Sequence, residues 1–237
     1  MIKYGRQFFV IHLHCVGGIG SGKTSAVAKP LLEQALFKWP GDGAKKIGIF
    51  LLDAKGNNAD YVVARAQRAG RASDVVILKP GGDCSYNPLA LGTPTALANK
   101  LVAALEAMTN QESNTYYKKM QREFAENAFQ ILADVLGAGR FSMMDVYEFI
   151  CDAAVRQRYL DKAKPTNSIS YRWFVNQWAK EDPREQMMLT KGFRADLSSF
   201  VRDEIAPTFS VSGATFPGWD RLIDEGHIVV FSMSLDE

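Results

Sequence analysis

Residues 17–24 read GGIGSGKT, and they are the strongest indication of the fold class in this chain. It matches the pattern G-x-x-x-x-G-K-[ST] in full. A nearly continuous apolar run at residues 8–16 precedes it, and residues 22–37 follow with apolar side chains at helical spacing. A glycine-rich loop between a buried strand and a helix is typical of a phosphate-binding loop. The other interpretation, a glycine turn without a function, does not account for this context.

Each residue type in this loop has a physical task in binding a nucleoside triphosphate. Glycines allow the backbone to curl so that successive N–H groups point at phosphate oxygens. The helix that begins near Gly22 adds the positive end of its dipole. We expect Lys23 to reach the β- and γ-phosphates and the Thr24 hydroxyl to coordinate Mg²⁺. The predicted nucleotide-binding residues are Gly17, Gly18, Ile19, Gly20, Ser21, Gly22, Lys23, Thr24 and Ser25.

Composition indicates an ordinary globular protein of 237 residues, long enough for one large domain or for a domain with an inserted subdomain. The net charge of +2 neither indicates nor excludes a nucleic-acid partner. The three cysteines form no CxxC pair, which argues against a disulfide framework or a zinc site and fits a reducing cytoplasm. The longest apolar run, residues 8–16, contains His12 and His14 and is too short to span a bilayer, so we expect a soluble chain without a membrane segment.

The first third of the chain alternates strand-like and helix-like segments. Strands are predicted at residues 8–16, 47–52 and 75–78, with helices at residues 22–37 and 59–69 between them. This order implies right-handed crossovers and a parallel sheet. The predicted fold class is therefore α/β, a P-loop NTPase with a RecA-like parallel sheet.

The middle of the chain has a different pattern. Residues 95–205 have helical spacing throughout, and Ser142 with Asp145 resembles a capping box at the start of one helix. Residues 228–231 return to strand character. We therefore predict an all-α subdomain inserted into the nucleotide-binding domain. The predicted bounds are residues 1–93 for the N-terminal part, 94–205 for the insertion and 206–237 for the incomplete return to the sheet.

Asp53 stands at the end of the second predicted strand, on the edge of the sheet where ligands gather in open α/β folds. We predict a catalytic contribution from Lys23 and from Asp53, whose carboxylate would act through a metal-bound water. The alternative for Asp53 is an ordinary Asp/Gly/Asn turn without a nucleotide contact, and the pattern leaves the two open.

A Walker B element, which is an apolar run that ends in Asp-Glu, has a single candidate at residues 229–237. Ser232 and Ser234 interrupt its apolar run before Asp236 and Glu237. We therefore interpret the two acidic residues as an ordinary turn after a strand.

A basic helix around Trp173 and Trp178 allows two interpretations. Together with Arg172 and Lys180, these tryptophans could form a stacking platform for single-stranded nucleic acid. Packing of an amphipathic helix explains the same pattern and is the interpretation that we favour.

Four motifs occur in an order that resembles a known family. The phosphate-binding loop at residues 17–24 is followed by LLDAKG at 51–56, VILKP at 76–80 and YNPL at 86–89. The chain thereby resembles the type IV coupling proteins of bacterial conjugation and type IV secretion (TraD/TraG-like), which are relatives of the FtsK and HerA DNA-pumping motors. Ala54 stands where that family usually has a proline. The resemblance is strong in sequence from about residue 8 to residue 89. After residue 89 it rests only on the order of the predicted helices and strands.

The resemblance implies a function for the intact protein. It implies an ATPase that uses ATP and Mg²⁺, forms a homo-hexameric ring on the cytoplasmic side of the bacterial inner membrane, and passes DNA or a relaxase–DNA complex to type IV secretion components. It further implies that transmembrane helices precede this chain and that Walker B, sensor and arginine-finger residues follow it. We therefore expect a truncated motor domain with weak or no hydrolysis of its own.

Two alternatives remain open at this point. One is a soluble HerA-like DNA translocase or helicase. The other is a nucleotide-binding docking module that does not turn over ATP.

Overall fold

The computed structural model describes residues 15–16, 18, 20–37, 46–108 and 115–233 of the chain. The chain divides into two compact units. The first unit comprises Met1–Cys84 and Phe216–Glu237, and the second comprises Ser85–Thr215. The domain bounds predicted from the sequence, at residues 93/94 and 205/206, stay a prediction.

The first unit contains a three-stranded sheet. Its strands are β1 (Ile49–Asp53), β2 (Val75–Leu78) and β3 (Ile228–Ser232), in the spatial order β1-β3-β2. Both pairings are parallel, and Asp53 lies opposite Ser232 in the register. These strands and their parallel order confirm the predicted mixed α/β class. The predicted strand at residues 8–16 lies outside the described residues except for its last two.

Two helices of the first unit, which flank β1 along the chain, pack on one face of this sheet. The segment after the glycine loop begins as a π-helix, Thr24–Ala28, and continues as α1 (Lys29–Phe37). A second helix, α2 (Ala59–Arg68), follows β1. Apolar side chains of both helices and of the central strand form one buried cluster of Leu36, Val62, Ala66, Ile228 and Val230.

One buried guanidinium joins the starts of all three strands. Arg71 is 1% exposed, and its Nε donates to Asp74 Oδ2 at 3.0 Å just before β2. Its Nη2 donates to the C=O of Ile47, which precedes β1, and to the C=O of Gly226, which precedes β3. Burial acts to raise the pKa of Asp74, but hydrogen bonds from Lys46 and Arg71 outweigh it and hold the pKa below its usual value.

The second unit consists of helices around an aromatic core. The helices are α3 (Pro94–Met108), α4 (Thr115–Leu136), α5 (Met143–Cys151), α6 (Ala153–Ala163), α7 (Ile169–Asn176), α8 (Pro183–Leu197) and α9 (Ala206–Phe209). A last helix, α10 (Trp219–Asp224), belongs to the first unit. Helices make up most of the described part of residues 95–205, as predicted, and short turns such as residues 137–142 and 202–205 separate them.

Local hydrogen bonds fix two sequence motifs of the second unit. Ser142 accepts from the N–H of Asp145 at 3.2 Å while the Asp145 carboxylate accepts from the N–H of Ser142 at 2.8 Å, so the capping box is confirmed. In the YNPL motif, the buried Asn87 donates to the C=O of Phe141 at 2.9 Å and accepts from the N–H of Leu89 at 2.9 Å. This motif therefore anchors the turn that precedes α3 to the turn that precedes α5.

Among the described residues, no helix combines the length and the apolar character that crossing a membrane requires.

Replacing Arg71 with Leu should lower the free energy of unfolding of the first unit by about 3 kcal/mol, because two backbone carbonyls and a buried carboxylate lose their donor. The matched control is Arg68→Leu, an exposed arginine in the last turn of α2, which should cost no more than about 0.5 kcal/mol. Amide hydrogen exchange in β1, β2 and β3 under increasing denaturant measures the difference. Equal loss of protection in the two variants would contradict the role given to Arg71.

Candidate functional site

The glycine loop has the backbone conformation that only glycine adopts without strain. Gly20 has φ of 80° and Gly22 has φ of 78°, both in the left-handed region. The N–H of Ser21 donates to the C=O of Gly18 at 3.3 Å and closes a turn between them. Among the described residues, apart from the chain neighbours, no atom lies within 4 Å of the position that a Cβ would take at Gly18, Gly20 or Gly22, so the loop borders open space there. Gly17 and Ile19 lie outside the described residues.

Backbone donors at the end of this loop are available to a ligand. The N–H groups of Gly22 and Thr24 donate no hydrogen bond within the described part of the chain. The helical segment begins immediately afterwards, and the N–H of Ala26 already donates to the C=O of Gly22 at 2.8 Å. Unpaired N–H groups at the start of a helix favour an anion.

Lys23 brings its positive charge to the same loop. Its Nζ donates to the C=O of Gly18 at 2.7 Å and lies 3.4 Å from Ser21 Oγ. The ammonium group is therefore folded back over the loop. A phosphate oxygen that binds there would compete with the Gly18 carbonyl for the Lys23 donor.

Asp53 is 3% exposed and is held by the turn that follows β1. Its Oδ2 accepts from the N–H of Asn58 at 2.7 Å, and its Oδ1 accepts from Asn58 Nδ2 at 2.9 Å. Asn58 is the residue before α2, so the carboxylate fixes the start of that helix. The catalytic contribution predicted for Asp53 is separate from these contacts and stays a prediction.

A cavity of about 550 Å³ lies along α1 and β1. Thr24 and Asn58 both line it, so the predicted Mg²⁺ ligand and the partner of Asp53 border one space. The rest of its wall is mostly apolar and includes Leu31, Leu32, Ala35, Ile49 and Leu51. Neither Lys23 nor Asp53 lines the cavity, which therefore differs from the open space at the glycine loop.

A polar cluster that the sequence analysis missed connects α1 with α2. Tyr61 donates its hydroxyl to Glu33 at 2.7 Å, and Arg65 Nε lies 2.9 Å from the same carboxylate. Lys29 Nζ lies 4.3 Å from the centre of the Tyr61 ring. Burial and the hydrogen bond to Glu33 raise the pKa of Tyr61. Lys29 and Glu33 are four residues apart on α1, and Tyr61 and Arg65 are four residues apart on α2. This spacing is the sequence signal that could have revealed the cluster.

The remaining sequence candidates do not join the loop. Trp178 is 5% exposed, and its ring centre lies 4.6 Å from that of Phe124 in the core of the second unit. This burial confirms the packing interpretation and excludes a stacking platform made of both tryptophans. Asp236 and Glu237 lie outside the described residues. Within residues 15–16, 18, 20–37, 46–108 and 115–233, no three His, Cys, Asp or Glu side chains converge on a metal site.

Comparison with known proteins gives a partial likeness. No protein family matches the chain, and no curated protein matches it. The plasmid coupling protein TrwB in complex with the non-hydrolysable GTP analogue GDPNP matches with a TM-score of 0.45 and 10% identity, over 86% of this chain and 53% of that chain. The unbound monoclinic form of the bacterial conjugative coupling protein TrwBdeltaN70 matches with a TM-score of 0.38 and 8% identity, over 84% of this chain and 52% of that chain.

The trigonal form of TrwBdeltaN70 in complex with sulphate matches with a TM-score of 0.36 and 10% identity, over 86% of this chain and 53% of that chain. The chain therefore spans about half the length of these structures. A likeness of this size carries no conclusion about function.

Replacing Asp53 with Ala should lower the free energy of unfolding by about 2 kcal/mol, because two donors of Asn58 lose a charged acceptor. Asp60→Ala is the matched control, since Asp60 is an exposed carboxylate in the first turn of the same helix and should cost about 0.5 kcal/mol. Chemical denaturation of the two variants tests the difference. Similar losses would show that the bonds to Asn58 contribute little.

Proposed function

We propose that this chain binds a nucleoside triphosphate, ATP, together with Mg²⁺ at the loop of residues 17–24. The observation that carries the proposal is the conformation of that loop. Gly20 and Gly22 take left-handed φ angles, the N–H groups of Gly22 and Thr24 are unpaired within the described residues, and the ammonium of Lys23 lies on the loop. Backbone N–H groups that have no partner among the described residues, together with the Lys23 ammonium, are suited to a polyphosphate chain.

Each residue has a defined role in this proposal. The loop N–H groups donate to the phosphate oxygens, and Lys23 exchanges its bond with the Gly18 carbonyl for bonds to the β- and γ-phosphates. The Thr24 hydroxyl supplies a ligand to Mg²⁺, and Ser25 contributes the next hydroxyl along the chain. Mg²⁺ held there would supply positive charge that offsets the repulsion between the phosphates. Asp53 ends the strand that follows the loop segment along the chain, and in this proposal its carboxylate would orient a water on the metal.

Replacing Lys23 with Ala should weaken the affinity for Mg·ATP about 10–100-fold, because a charge-assisted hydrogen bond to phosphate is lost. Isothermal titration with Mg·ATP measures this change. Lys162→Ala on α6 is the control, since Lys162 is an exposed lysine of the second unit, and it should leave the affinity unaltered. Unchanged affinity in Lys23→Ala would exclude the proposed site.

We further propose that the intact protein is a type IV coupling protein. Support comes from the sequence, in which the phosphate-binding loop, LLDAKG, VILKP and YNPL occur in the order typical of that family. In this proposal ATP turnover by a homo-hexamer at the cytoplasmic side of the inner membrane moves DNA or a relaxase–DNA complex toward type IV secretion components. A HerA-like translocase and a docking module without turnover are the alternatives that the next experiment separates.

Lys23→Ala introduced into the gene in its own host should reduce conjugative DNA transfer to the background level, because transfer depends on nucleotide binding at the loop. Mating frequency is the measurement, and plasmid maintenance in the same cells is the control. Normal transfer with a defect in DNA repair would favour the HerA-like alternative. Normal transfer and normal repair would leave only the docking module.

A further inference from the structure

Strand β1 stands at one edge of the sheet that the described residues form, and there β3 is its only neighbouring strand. The N–H of Ile49 donates to the C=O of His227, just before β3, at 2.9 Å, so the backbone groups of Ile49 point toward β3. Backbone groups of successive residues in a strand point to opposite sides. The N–H and C=O groups of Phe50 and Leu52 therefore point away from β3, and no described backbone group pairs with them.

This open edge of β1 is apolar. The side chain of Phe50 is 51% exposed, and that of Leu52 is 61% exposed. Residues 47–52 all line the cavity along α1 and β1, and Leu31 and Leu32 line it from α1. Because successive residues of a strand face opposite sides, a cavity that all six border must lie at the edge of the strand. Residues 49–52 include no charged residue or proline, which are the usual means of keeping another strand away from an edge.

The crossovers of the first unit determine the direction in which the sheet grows. Helix α2 connects β1 with β2, and β2 lies on the β3 side of β1. Helix α1, which precedes β1 along the chain, packs on the same face of the sheet as α2. Crossovers between parallel strands are almost always right-handed, so two successive crossovers with helices on one face advance in the same direction. A parallel strand before α1 must therefore lie on the other side of β1, which is its open edge.

The sequence supplies a strand for this position. Residues 8–16, which are predicted as a strand, run directly into the glycine loop and α1, and only the last two of them are described. Their nearly continuous apolar character is typical of a strand that is covered on both faces. We propose that residues 8–14 occupy the open edge of β1 as a fourth parallel strand and fill the cavity along α1 and β1.

This pairing brings two candidate segments of the nucleotide site together. Neighbouring parallel strands are about 4.8 Å apart, and their carboxyl ends lie at the same edge of the sheet. The glycine loop follows the proposed strand, and Asp53 ends β1, so the loop and the Asp53 turn become neighbours. The inference itself concerns only the pairing of strands and does not depend on nucleotide binding.

Amide hydrogen exchange in the 237-residue chain tests the pairing. The N–H groups of Phe50 and Leu52 should exchange as slowly as that of Leu51, which faces β3. Nuclear Overhauser contacts of Phe50 and Leu52 with backbone protons of residues 8–14 should identify the partner strand, and a mixture of isotope-labelled and unlabelled chains shows whether they arise within one chain. Exchange of Phe50 and Leu52 at the rate of unfolded amides overturns the inference, as do contacts between two copies of the chain.

Ile11→Pro removes a backbone donor from the middle of the proposed strand. It should lower the protection of Phe50 and Leu52 about tenfold, as expected for a lost ladder hydrogen bond, and leave Leu51 protected. Lys3→Pro, which lies outside the predicted strand, is the matched control and should change neither. Unaltered protection in Ile11→Pro overturns the inference, and if this variant unfolds, the contacts in the wild-type chain decide. A chain that pairs this edge but does not bind Mg·ATP would refute the proposed function alone.

Discussion

The register of the three parallel strands in the first unit depends on one guanidinium, that of Arg71, which forms hydrogen bonds at the start of each strand. Parallel strands have no hairpins to fix their register, and each must be joined by a long crossover. Arg71 reaches the C=O of Ile47, 24 residues before it, and the C=O of Gly226, 155 residues after it. The whole second unit is inserted between β2 and β3. Arg71 thus fixes the last strand to the first two although most of the chain separates them.

Fixing the starts of the strands also fixes their carboxyl ends. Asp53 and Ser232 lie opposite each other in the register, and both are 3% exposed. The hydroxyl of Tyr61 in α2 donates to Glu33 in α1 and so joins the two helices that follow the glycine loop and the Asp53 turn.

The sequence was sufficient for features that depend on near neighbours along the chain. Apolar runs predicted β1, β2 and β3, and the spacing of Ser142 and Asp145 predicted the capping box. The pattern of the loop likewise required glycine where the backbone takes positive φ. These properties depend on local sterics and on hydrogen bonds over three or four residues, which a sequence displays directly.

Features that depend on distant partners were not predictable in the same way. Arg71 has no local pattern that reveals its contacts with carbonyls far along the chain. The sequence around Trp178 does not show whether its ring faces solvent or the core, and the structure shows that it is buried. The helix predicted at residues 22–37 is present, but its first turn, Thr24–Ala28, is a π-helix, which the spacing of apolar residues does not distinguish from an α-helix.

Binding of a triphosphate at the glycine loop can be measured by backbone amide chemical shifts during a titration with Mg·ATP. We expect saturable shifts for the N–H groups of Gly20, Gly22 and Thr24, with much weaker shifts for AMP because it lacks the β- and γ-phosphates. The N–H of Gly226, at the opposite end of the strands, should remain unaltered. Loop amides that do not respond to a saturating triphosphate would show that residues 17–24 are not a phosphate-binding loop.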